Sequence, residues 1–311
     1  MKYSGIGGQA VMEGIMMRNG SRYAVAVRKP DGGIAVKEDV ANAFSDTHAW
    51  AGWPLVRGVV NFVDSLVLGM STLMWSASFE ETGDVKAEEK SGEEQSGNGE
   101  SGALSKSEMT LTVILAICIA IGIFMVLPTV IVSLLRHVTD NAFLISLAEG
   151  VLRLLLFIGY VVAISFMKDI RRVYMYHGSE HKCINCIEHN LPLTVENVMK
   201  SSKEHKRCGT SFLLIVMLIA VVVFMFVRID HLLLRILSRI VLVPVIAGIS
   251  YEILRFTGRH DNKFVYIISR PGMWMQGLTT KEPTEDMVEV AIQAVEKVFD
   301  WKAWQEENFG K

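Results

Sequence analysis

His177-Gly178-Ser179-Glu180-His181 places two imidazoles and a carboxylate within five consecutive residues. On a helix, His177 and His181 stand one turn apart and can share a cation, while Glu180 could take a proton from water held there. The pattern H-x-x-E-H is that of the inverted zinc peptidases, whose third ligand is a glutamate well downstream. Glu252, in the apolar context GISYEIL, is such a residue, and a carboxylate in an apolar helix is a functional candidate by default. A second ligand set overlaps the first. Cys183-x-x-Cys186 is followed by His205-x-x-Cys208, which resembles a structural zinc site of three Cys and one His. A closed Cys3His set would be structural, and a His/His/carboxylate set with bound water would be catalytic. Each also has a plain structural reading: a polar helix end outside the bilayer, a pair of buried thiols, and an ion-pair partner for Arg255.

The elements that must position these residues are dictated by where the apolar residues fall. Of 311 residues, 50% are hydrophobic and 21% charged. Mean hydropathy is +0.33. With 31 Lys+Arg against 33 Asp+Glu, no overall field points to nucleic acid, and four cysteines make no disulfide framework. The apolar excess is concentrated in Thr110–Pro128, Ala142–Met167, Ser211–Val227 and His231–Phe256, which predict four transmembrane helices. Glu149 and Arg153, spaced i,i+4, can neutralise one another within the second. Residues 55–79 form a further apolar stretch, but Arg57 and Asp64 interrupt it, so an interfacial or re-entrant helix is expected there. The connection 168–210 is rich in Lys and Arg, as is the segment after the fourth helix, which places both termini and that connection in the cytoplasm.

Outside the membrane, residues 1–54 read as a small β unit. Tyr23–Arg28 and Ile34–Lys37 form a hairpin across Pro30–Gly33, and Ala10–Arg18 reads as another strand. Residues 80–108, rich in Glu, Gly, Ser and Lys, read as a disordered acidic linker. Within 257–311, Lys263–Ser269 reads as a strand joining the N-terminal unit, and Thr284–Asp300 as an amphipathic helix. The expected fold is thus an α-helical polytopic membrane protein, its four-helix domain spanning 109–256, with a cytoplasmic β-containing unit built from both ends of the sequence.

Six ordered motifs, GGQAVMEGIMMR (7–18), YHGSEHK (176–182), LTVENV (193–198), HKRCGTSF (205–212), GISYE (248–252) and PGMWMQGLTTKEP (271–283), resemble the YqhQ-like family of bacterial membrane proteins. That family carries a domain of unknown function and a general label of metal-dependent enzyme. The resemblance covers nearly the whole chain except 80–108, and implies that His177, Glu180, His181, His205, Cys208 and Glu252 belong to the family pattern, with Glu13, Arg18 and Glu196. Lys206 replaces the usual Pro of the HPRCG form, and Cys183 is not general in the family, which weakens the Cys3His reading. The expectation is therefore a zinc hydrolase of the bacterial plasma membrane. His177 and His181 would bind zinc, His205, Cys208 or Glu252 (alternatively Cys183 and Cys186) would complete the ligands, and Glu180 would be the base. The lipid bilayer is the partner implied. A non-catalytic membrane scaffold holding a structural zinc is the alternative.

Overall fold

The structure is a computed structural model and describes residues 2–44, 48–88, 106–139, 141–227, 229, 231–260 and 262–310. Four strands open the chain: β1 (Gly7–Val11), β2 (Gly14–Asn19), β3 (Arg22–Arg28) and β4 (Ile34–Val40). They form one antiparallel sheet in sequence order. The expected hairpin is β3–β4, with Arg28 opposite Ile34. The single strand expected over Ala10–Arg18 is instead a second hairpin, β1–β2. Glu13 turns the chain there with a left-handed φ of 46°. The apolar run conceals this turn, because only Glu13 and the flanking Gly14 mark it.

The helices are α1 (Val56–Glu88), α2 (Lys106–Ile121), α3 (Leu127–Ser133), α4 (Ala142–Ile164), α5 (Lys168–Glu188), α6 (Val195–Lys200), α7 (Gly209–Phe226), α8 (Leu232–Arg259), α9 (Lys263–Thr279), α10 (Glu285–Val298) and α11 (Trp301–Phe309). A π-helical turn, Gly122–Val126, joins α2 to α3. Among the described residues, five segments are long and apolar enough to cross a membrane: Val56–Phe79, Thr110–Ser133, Phe143–Ile164, Gly209–Phe226 and Leu232–Arg259. The count exceeds the expected four because Arg57 and Asp64 do not break α1. Arg57 is neutralised by Glu252, and Asp64 accepts a hydrogen bond from the Phe44 amide. Of the linker expected over 80–108, residues 89–105 lie outside the described residues, with helix assigned up to Glu88 and again from Lys106.

Lys263–Ser269 is helical, not a strand, and the sheet draws all its strands from the N-terminal segment. A short run of aliphatic and aromatic residues fits either element. Asn262 caps this helix by accepting from the Val265 amide at 2.9 Å. Its buried residues, Val265, Ser269, Gly272, Gln276 and Thr279, recur at helical spacing.

The chain divides into two compact units, one of Met1–Lys86, Val161–Ile215 and Ala247–Lys311, the other of Ala87–Tyr160 and Val216–Ile246. In the first, both faces of the sheet are covered. Ile15, Met17, Ala24 and Ala26 pack with α5, α6 and the buried stripe of α10, which is the expected amphipathic helix. Val11, Met16, Val25 and Val27 face Leu68, Leu73, Trp75 and Phe79 of α1. The opposite side of α1 leaves Val63, Leu66, Val67, Met70 and Met74 exposed.

The second unit holds a charged network within its apolar helices. Glu149 accepts from Arg153 at 2.9 Å and from the Thr129 hydroxyl at 2.8 Å, and it also pairs with Arg239. Arg239 donates to Thr129 at 2.6 Å, and Arg153 donates to the Phe124 carbonyl, in the π turn, at 2.8 Å. Both guanidiniums lie over the Phe224 ring, at 5.0 and 5.1 Å from its centre.

Candidate metal centre

Helix α5 carries the centre along one face. His177 and His181 are one turn apart, with ring centroids 4.5 Å from each other. Cys208, immediately before α7, brings its thiol to 3.2 Å from His177 Nε2. One donor atom from each of His177, His181 and Cys208 lies within 4.8 Å of the other two.

The outer atoms of both rings are spoken for. His177 Nδ1 is 3.0 Å from the Thr279 carbonyl, and His181 Nδ1 is 2.6 Å from the Lys203 carbonyl. A carbonyl can only accept, so each Nδ1 carries a hydrogen, and Nε2 is the nitrogen left to face the Cys208 sulfur or a cation. This is the arrangement in which a metal-binding histidine is oriented by its second nitrogen.

The loop on either side of Lys203 is itself held by α5. Lys182 Nζ donates to the carbonyls of Met199 and Ser201 at 2.8 and 2.9 Å, and Asn185 Nδ2 to those of Ser202 and Glu204 at 2.7 and 2.9 Å. From α9, Gln276 clamps His205 through both backbone atoms, accepting from its amide at 2.8 Å and donating to its carbonyl at 2.7 Å. The loop that delivers Cys208 is thereby fixed from two sides.

Glu180 is buried beside this group. Burial pushes its carboxyl up, opposed by His177, His181 and a hydrogen bond from the Gly8 amide. Gly8 leaves no room for a side chain: a Cβ there would sit 2.5 Å from the Met16 carbonyl and 3.2 Å from Glu180 Cδ. Burial also works against the Cys208 thiolate, but the neighbouring imidazoles outweigh it and hold the thiol well below its ordinary range. For His177, burial opposes protonation and the Cys208 sulfur more than restores it, which raises the ring to about 9. Without a cation the two therefore form an imidazolium–thiolate pair, whose Nε2 proton a bound metal would displace. A ready thiolate beside oriented imidazoles is a soft, nitrogen-and-sulfur donor set, which suits zinc.

The remaining expected ligands lie elsewhere. His205 is in the next layer, 3.5 Å from Glu188 through Nε2. Glu252 makes a two-pronged pair with Arg57 at 2.7 and 2.5 Å rather than joining the histidines. Cys183 and Cys186 are packed in the core against the sheet and α10, and Cys186 points at the Pro192 carbonyl. The four thiol and imidazole groups of the Cys3His set are therefore not brought together. Glu13 pairs with Arg172, Arg18 donates to the Gly20 carbonyl, and Glu196 pairs with Lys200 at the surface.

Sequence reasoning passed over Glu188, which is fully buried and bonded to Arg207, His205 and Ser4. Burial raises its carboxyl, but His205 and Arg207 overcome that and pull it down to about 2 from 4.5. A depressed carboxyl contributes stability above its unfolded value, and that contribution fades as pH falls through the folded one. Metal-free protein in detergent should accordingly lose about 3 kcal/mol between pH of about 5 and about 2 through this group. Glu188→Gln should remove that slope from the unfolding profile; parallel profiles for the two proteins would refute the assignment.

The family model described as a protein of unknown function (DUF1385) matches residues 53–301. The chain belongs to this family. A relative in Bacillus subtilis (strain 168), described as the uncharacterized protein YqhQ, is 34% identical over 304 residues, covering 97% of this chain and 94% of its own length. No solved structure matches. The family match takes in α5, the Cys208 loop and the Gln276 clamp, while β1, with Gly8, precedes it.

Proposed function

We propose that this member of the family is a metal-dependent hydrolase of the cell membrane, with zinc held by His177, His181 and Cys208. The observation that carries the reading is the pair of backbone carbonyls, Thr279 and Lys203, that fix both rings with Nε2 available beside the Cys208 sulfur. Zinc bound there supplies Lewis acidity, polarising a substrate oxygen and acidifying water. Glu180 takes the proton from the attacking water and returns it to the leaving group, a role suited to a carboxyl raised by burial. Three protein donors, rather than the four of a closed structural site, fit this role. The basic residues of α5 and the following loop support a cytoplasmic position for the site.

The burial of the group supports a second reading. Cys208, His181 and Glu180 are almost inaccessible, with 4%, 2% and 7% of their surface exposed. In that reading the zinc is structural, pinning α5 to the start of α7 in a non-catalytic scaffold. Elemental analysis of detergent-purified protein tests the ligand set. His177→Ala, His181→Ala and Cys208→Ser should each lose zinc, whereas Cys183→Ser and Cys186→Ser should retain it. Release of zinc by Cys186→Ser as readily as by Cys208→Ser would replace the proposed centre with a closed Cys3His site.

A further inference from the structure

A cavity of about 570 Å³ opens at the place where the start of α1 meets the end of α8. It is lined by four arginines, Arg57, Arg207, Arg255 and Arg259, and by no acidic residue among those described. Two of the four are held from outside the lining. Arg57 is fixed by Glu252, and Arg207 by the buried Glu188, with its guanidinium 4.3 Å above the Tyr3 ring. The side chains of Arg255 and Arg259, one turn apart on α8, make no hydrogen bond or close ion pair with another described residue, although the Arg255 charge also acts on Glu252. Four positive charges therefore face one space, and two carboxylates offset them. Tyr251 adds a hydroxyl that already accepts from Asn61 at 2.8 Å, so its own hydrogen is left for a ligand.

The walls are built to stay close. A Cβ on Gly248 would lie 2.6 Å from the Leu55 carbonyl, and one on Gly58 would lie 2.7 Å from Tyr251 Cβ. These glycines let the two helices touch backbone to backbone, as small residues do between membrane helices. Gly258 likewise leaves room for Arg207, whose Cγ a Cβ would meet at 2.9 Å.

We infer that this cavity binds the phosphate of an anionic lipid headgroup. Guanidinium groups match phosphate oxygens in pairs, and the cavity is large enough for a headgroup. It lies at the first turn of one candidate span and the last turn of another, where headgroups meet the ends of membrane helices. Trp53 and Trp50, exposed just before α1, are the residue type that settles at that depth. The inference rests on α1 and α8 meeting the bilayer, and it requires neither zinc nor catalysis.

Equilibrium binding to the full chain in nonionic detergent provides the test, with short-chain phosphatidylglycerol, phosphatidylcholine of the same chain length, and inorganic phosphate as probes. Phosphatidylglycerol should bind in preference to phosphatidylcholine, and Arg255→Gln with Arg259→Gln should weaken it about thirty-fold. The corresponding double Lys variant should keep most of the affinity. Unchanged zinc content and thermal midpoint would show that the Gln variant is folded; if it is not, the exposed Arg259→Gln alone should give about a five-fold loss. Binding of inorganic phosphate with the same dependence on Arg255 and Arg259 would support the anion site and assign it to a soluble phosphate. Equal affinity for phosphatidylcholine, or unchanged affinity in the variants, would overturn the inference, and neither result would touch the metal centre.

Discussion

Glu180→Gln is expected to leave zinc stoichiometric and the thermal midpoint unchanged while lowering turnover by about 10²–10⁴-fold. The amide keeps the shape of the side chain and its bond from Gly8, and burial already disfavours the charge it removes. It cannot accept a proton from water. His181→Ala should behave differently, because it removes a donor atom and orphans the Lys203 carbonyl, so zinc and stability should fall together. Growth of a deletion strain complemented with each variant offers a readout where no substrate is in hand. Full complementation by Glu180→Gln, with His181→Ala failing, would refute catalysis and leave the structural zinc.

Glu149→Leu is expected to destabilise the protein by about 3–5 kcal/mol, since Arg153 and Arg239 then remain buried with no counter-charge. Replacing all three residues with apolar side chains of similar volume should recover most of that loss, because the cost comes from stranded charges rather than from missing attraction. Unfolding in mixed micelles, followed by far-ultraviolet circular dichroism, measures both. If Glu149→Leu is as stable as the parent, or the triple replacement is as unstable as the single one, the network does not hold the helices together.

Much of this architecture can be read from residue types. The His177/His181 spacing, the β3–β4 hairpin and the stripe of α10 all follow from periodicity, and each is found where expected. Cys208 lies beyond a connection that holds α6, and what marks it in the sequence is its His205-x-x-Cys208 spacing and the family motif around it. What residue types do not reveal is pairing across distance. Glu252 reads equally as a ligand or as a partner for Arg255, and only the fold supplies Arg57, from the far end of the sequence. The carbonyls of Thr279 and Lys203 leave no trace in the sequence at all, since every residue has one. Gln276 and Gly8 are visible within motifs, but the first earns no attention without a buried backbone to clamp, and the second reads as one of many loop glycines. Lys263–Ser269 fails for a different reason: seven residues are too few to separate a period of two from one of 3.6.

Gly178 sits between the two histidines, and a Cβ there would lie 2.0 Å from the Lys281 carbonyl. The strand of chain that crosses α5 at this point also carries Thr279, whose carbonyl orients His177. Residues 279–281 follow the last candidate span, so the ribosome makes the histidines well before the segment that orients His177. Zinc delivered to the nascent chain would meet a half-built site, with His177 free to rotate. Capture of the ion would then be a late event in biogenesis, gated by docking of the segment against Gly178, and the insertion of the helices would be complete before the metal is chosen.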